Sequence, residues 1–120
     1  MAREFQPGDD LLFQLESGFG LLRVLAIEKD TSGSLIWHLL AYQNLFLDSD
    51  MAENALRNPQ DLKISIDHMA LTNRAFERTP TAKLLNRPVS NEELGWVENW
   101  KNDPENAVSD RSALLMLGLR

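Results

Sequence analysis

The stretch from Phe5 to Ile27 constrains the fold of this chain more than any other. Pro7-Gly8-Asp9 is a turn. After it Leu11, Phe13 and Leu15 alternate with Leu12, Gln14 and Glu16, the period of two that a β-strand requires, over about residues 10–16. Ser17-Gly18 reads as a hairpin turn, with glycine supplying the positive φ of a tight connection. A longer apolar strand follows from about Phe19 to Lys29, with Gly20 expected to be a bulge or kink. A chain that opens on a hairpin whose second strand is nearly all apolar builds an antiparallel sheet in which that strand is either buried on both faces or bends between two layers.

Further strands follow. Asp30–Ser34 has loop composition, and Leu35–Phe46 alternates Trp37, Leu39, Ala41 and Leu45 against His38, Leu40, Tyr42 and Phe46. Asp50 with Glu53 three residues on resembles a capping box, which predicts a short helix over Met51–Leu56, stopped by Asn58-Pro59. Leu62–Ile66 alternates as a fourth strand, and His68–Thr72 extends it or begins a helical turn holding Ala75 and Phe76. Ser90 and Glu93 form the clearest helix start in the chain, predicting a helix over Asn91–Lys101 with Leu94, Trp96, Val97 and Trp100 within half its circumference. Residues 109–120 fit a last helix capped by Ser109 or a closing strand. The expected fold is α+β, mainly β: one domain over residues 1–120, a small SH3-like or half-open antiparallel barrel of four to five strands, with two or three short helices on its edges.

At 120 residues and 43% hydrophobic composition the chain can bury a core of its own. It has no cysteine, which removes disulfides, thiolate metal sites and cysteine nucleophiles and suits a reducing cytosol. No apolar run reaches the ~20 residues that span a bilayer, and the first residues lack a secretory layout, so the expected location is cytoplasmic with no membrane association. The formal net charge is −6, which argues against nucleic acid as a partner. The charge is uneven: Arg74, Arg78, Lys83 and Arg87 are opposed only by Glu77, and then Glu92, Glu93, Glu98, Asp103, Glu105 and Asp110 are opposed only by Lys101.

No arrangement of residues points to catalysis, a metal or a cofactor. Asp9 and Asp10 as strand neighbours face opposite ways, and Glu92-Glu93 suit a helix N-terminus. Gly18 and Gly20 lie in a hairpin and do not open a helix, so they form no phosphate cradle. The best enzymatic alternative pairs His68 with Asp67 or Asp48. A second alternative is a single-strand nucleic-acid binder on the Arg74–Arg87 stretch, with Phe76 for stacking. The leading expectation is a non-catalytic protein-binding module that uses acids for encounter and tryptophan for contact energy. Its candidate residues are Glu92, Glu93, Trp96, Glu98 and Trp100.

Gly8-Asp9-Asp10-Leu11-Leu12-Phe13-Gln14-Leu15, Gly18-Phe19-Gly20 and Arg23-Val24-Leu25, with Asn86-Arg87-Pro88-Val89 and Glu93-Leu94 later, cover about a third of the chain. In these segments the chain resembles small β-rich immunity proteins of bacterial polymorphic toxin systems. Where some of that group carry a proline in the first strand, this chain has Gln14. The resemblance implies a non-enzymatic protein that neutralises a toxin, a basic one given the acidity here, by binding it.

Overall fold

The computed structural model describes residues 4–119. Its centre is one antiparallel sheet of five strands: β1 (Asp9–Leu15), β2 (Gly18–Lys29), β3 (Leu35–Tyr42), β4 (Ile64–Thr72) and β5 (Thr81–Asn86), in the order β4-β3-β2-β1-β5. β4 and β5 remain edges, so the sheet is open, and the fold is α+β, mainly β. Among the described residues four α-helices join it, α1 (Ser49–Arg57), α2 (Asn73–Glu77), α3 (Asn91–Asn102) and α4 (Ala113–Leu117), with a single 3-10 turn over Pro59–Asp61. No described helix is long and apolar enough to cross a membrane.

The sheet is covered on both faces. On the first, Leu11, Phe13, Leu22, Val24, Trp37, Leu39, Met69 and Leu71 pack against Ala75 and Phe76 of α2 and Ala113 of α4. Trp37 and Phe76 stack at 4.0 Å, and Phe5 meets both rings edge-on. On the second, α1 places Ala52 and Leu56 on Leu21 at one end, and α3 places Val97 on Leu25 and Leu40 at the other. Tyr42 touches both groups.

Three strands carry an extra residue, and these bulges decide which side chains reach which face. Val24 pairs with Leu39 but Ala26 pairs with His38, so Leu25 is an insertion in β2. Leu25 and Ala26 therefore both face α3, Ile27 returns to the first core, and Glu28 points to the same side as His38. Leu84 is a similar insertion in β5, which puts both Leu84 and Leu85 on the α1 side. β4 shifts register on either side of Ile66.

Several boundaries differ from the sequence expectations. Gly18 has no positive φ; what needs the glycine is the close approach of the Phe46 carbonyl, which would lie 2.5 Å from an added Cβ. Gly20 is not a bulge: it sits in regular register opposite Phe13, and a Cβ there would lie 2.4 Å from that ring, so the glycine makes room for the aromatic core. β3 ends at Tyr42, because Gln43 and Asn44 bond to Lys63 and Asp61; Phe46 makes only a bridge to Phe19. Asp48, not Asp50, caps α1, accepting from the Met51 N–H at 2.8 Å. The expected fourth strand over Leu62–Ile66 begins at Ile64. Its even alternation fails, since Leu62 packs with the α1 side, Ile64 is exposed and Ile66 joins the first core. Both readings of His68–Phe76 hold in succession, strand to Thr72 and then α2. The C-terminal segment is a helix, but Ser112 caps it, and Ser109 instead bridges to Leu71 of β4. Arg120 lies outside the described residues.

Candidate interaction surface on the late helix

α3 forms because its start is locally complete. The Ser90 hydroxyl accepts the Glu93 N–H at 3.1 Å and the Glu93 carboxylate accepts the Ser90 N–H at 2.9 Å, which satisfies two of the donors that a helix N-terminus leaves unpaired. The same carboxylate also reaches the sheet. Glu93 takes a two-pronged contact from Arg23 of β2, Nε to Oε2 at 2.6 Å and Nη2 to Oε1 at 3.0 Å. Arg23 is 2% exposed and its remaining N–H groups donate to Asp10 and to the carbonyls of Gly8, Arg87 and Pro88. Asp10, fully buried, also accepts two bonds from Arg87, which donates to the Tyr42 hydroxyl as well. Two cations and two carboxylates thus close a neutral buried set, as burial of charge requires. Burial works against the Glu93 charge, but Arg23 and the Ser90 N–H hold its pKa below the usual value.

The far end of α3 is held differently. Trp100 lies edge-to-face on His38 at 5.0 Å, and its indole N–H donates to the Ala107 carbonyl at 3.2 Å. Lys101 bonds Glu28 at 3.0 Å, and the other oxygen of Glu28 lies 2.5 Å from His38 Nε2. His38 Nδ1 lies 2.8 Å from His68 Nε2.

The five expected contact residues therefore divide. Glu93 and Trp100 are on the same helix as the others but hold it to the sheet: Glu93 is consumed by Arg23 and Trp100 by the histidines and Ala107. Glu92 and Glu98 are exposed, and Trp96 is half-buried, resting on the Leu25–Leu40 cluster with part of its ring outside. Leu94, 44% exposed, flanks Glu98 one turn away. Gly95 lies at the middle of the outward face, and a Cβ added there would meet no atom within 4 Å.

The two alternative sites are not assembled. Arg74 and Arg78 both engage Asp110, Lys83 pairs with Asp9 at 3.2 Å and Arg87 with Asp10 at 2.7 Å, so the four cations are split between two places and each serves an acceptor of the chain itself. Phe76 is buried in the first core. His68 meets His38 and has Asp67 beside it on β4, but Asp48 caps α1 instead of joining them. A groove of about 570 Å³ is lined by Leu35, Ile36, Asn73, Arg74, Val108 and Asp110 among others, and His68 is not part of it. Its polar groups are already matched, Asn73 with Trp37 and Glu77, Arg74 and Thr72 with Asp110. No group of three or more His, Asp or Glu side chains is placed to hold a metal among the described residues.

The charged set around Arg23 and the histidine pair escaped sequence analysis. The one available hint was Arg23 itself, a lone cation inside an otherwise apolar strand, which burial makes costly unless carboxylates meet it. Comparison of the chain with protein-family models, with curated proteins and with solved structures finds no match in any of the three.

Proposed function

We propose that this chain is a non-catalytic protein-binding module that meets a basic partner through the outward face of α3. The contact set is narrower than the sequence suggested: Glu92 and Glu98 supply the charge, and Trp96 and Leu94 the apolar contact. The observation that carries the proposal is Gly95. Glycine inside a helix costs about 1 kcal/mol relative to alanine, and here no neighbour needs the space. A partner that approaches the helix backbone closely between the two acids would account for it. The resemblance to toxin-immunity proteins makes a basic toxin the partner proposed.

The test first asks whether a gene for a basic, toxin-like protein lies beside this one, whose absence counts against the toxin as partner, and then titrates that protein by calorimetry at pH 7 and several salt concentrations. Gly95→Ala should stabilise the free protein by about 0.5–1 kcal/mol and yet weaken binding. Trp96→Ala should cost about 2 kcal/mol of affinity, and Glu92→Gln with Glu98→Gln should slow association and flatten its salt dependence. An affinity indifferent to salt and to all four substitutions removes the proposal.

A further inference from the structure

The histidine pair is not used by the proposed binding face, yet its protonation chemistry is tightly determined. His38 is fully buried. A carboxylate only accepts, so the 2.5 Å contact with Glu28 requires a proton on His38 Nε2. A neutral His38 then presents a bare Nδ1, and the 2.8 Å contact with His68 requires the proton to sit on His68 Nε2. One carboxylate on β2 thereby fixes the tautomers of both rings. The gap between the rings holds a single proton. A doubly charged pair would set two N–H groups against each other, so the two imidazoles accept one additional proton between them.

We propose that His38 and His68 act as one proton-binding unit that seats the C-terminal half of α3 and releases it in acid. If α3 is the binding face, as proposed above, this is control of that same surface, and the inference rests on that reading only for its biological use.

The groups around the pair come from three elements. Glu28 faces it from β2, Asp67 lies beside His68 on β4, and α3 contributes the Trp100 ring together with Lys101, which shares Glu28 and also meets Glu98. Trp100 covers both rings, at 5.0 Å from His38 and 5.8 Å from His68. His38 and Lys101 already divide the two oxygens of Glu28 between them, so a cation formed on the pair finds no free carboxylate beneath Trp100 and must be hydrated, which loosens the last turns of α3. Both histidines resist charging in the closed state. Burial pushes His38 down against the pull of Glu28, and burial with the neighbouring His38 pushes His68 down to about 4. An opened helix returns them to the ordinary value near 6.5. The first half of α3 is anchored by the Glu93–Arg23 contact, which keeps its charges through the same range.

Amide exchange and histidine ring NMR on the free protein test this. From pH 7 to pH 5, protection of the amides of Glu98–Asn102, corrected for intrinsic exchange, should fall about tenfold, while Leu94–Val97 keep theirs. The rings should show Nε2–H tautomers at pH 7 and uptake of one shared proton in acid. His68→Gln keeps an N–H donor for His38 and should abolish the tenfold change. Two rings titrating independently near 6.5, equal loss along both halves of α3, or an unaltered response in His68→Gln would each overturn the proposal. The ring titration needs no variant, and no partner enters any of these measurements, so failure here leaves the binding test at pH 7 standing and the reverse also holds.

Discussion

Replacing Arg23 by methionine removes the central donor of the buried charged set while keeping most of the side-chain volume. In the native protein its guanidinium serves both oxygens of Glu93, one oxygen of Asp10 and three backbone carbonyls. After the change Asp10 still has Arg87. Glu93, with a side chain 13% exposed, is left with the Ser90 N–H, and the Gly8, Arg87 and Pro88 carbonyls lose their side-chain donor. Breaking a buried ion pair from one side costs about 3–5 kcal/mol, a large share of the roughly 5–15 kcal/mol that holds a domain folded. Urea unfolding followed by tryptophan fluorescence should show the midpoint falling by about 2 M at an unchanged slope. Adding Glu93→Met should return part of the loss, since it removes the stranded carboxylate. A loss below about 1 kcal/mol in the single variant, or strict additivity of the two, would refute the view that this set fastens α3 to the sheet.

Two further outcomes follow from the same structure. The folded-state pKa of His68 is depressed, so the unfolded chain takes up its proton first; stability is complete above about pH 6.5 and declines as pH falls toward 4, by about 1 kcal/mol at pH 5 once solvent screening of the half-buried ring is allowed for. Asp9, Glu28 and Glu93, all held below their ordinary values, add further loss as pH falls through about 4, and a thermal-melt series from pH 8 to pH 3 that stayed flat would contradict both statements. Gly20→Ala drives a Cβ to within 2.4 Å of the Phe13 ring and should destabilise by about 1–3 kcal/mol; Phe13→Leu in the same chain should recover part of it, measured by the urea midpoint.

What could be seen in the sequence was whatever is settled within a few residues. The first hairpin was legible because Leu11, Phe13 and Leu15 alternate without interruption, and the start of α3 because Ser90 and Glu93 bond each other. β4 and β5 were harder because their faces change partway: an insertion such as Leu84 breaks the alternation that marks a strand. The α1 cap was displaced by two residues because Asp48 and Asp50 are equally good caps locally, and only packing of Ala52 and Leu56 on Leu21 chooses between them. Glu93 was understood by half, since its capping role lies three positions away and its ion pair seventy. Trp100 read as one of the contact residues, and only the sheet, which brings His38 and His68 beside it, holds it from within.

The extra residue at Leu25 has a reach beyond its own strand. Were the same residues paired through Leu25 in unbroken alternation, every later side chain of β2 would turn to the opposite face: the carboxylate that dictates where the imidazole hydrogens sit would emerge among Trp37 and Leu71, and an isoleucine would take its place beneath the lysine of α3. A kindred chain one residue shorter at this point would need no bulge and would keep the acid response, whereas one of the same length without the bulge would keep the sheet and lose it, so the pairing of one strand, more than the presence of two histidines, marks which chains share that behaviour.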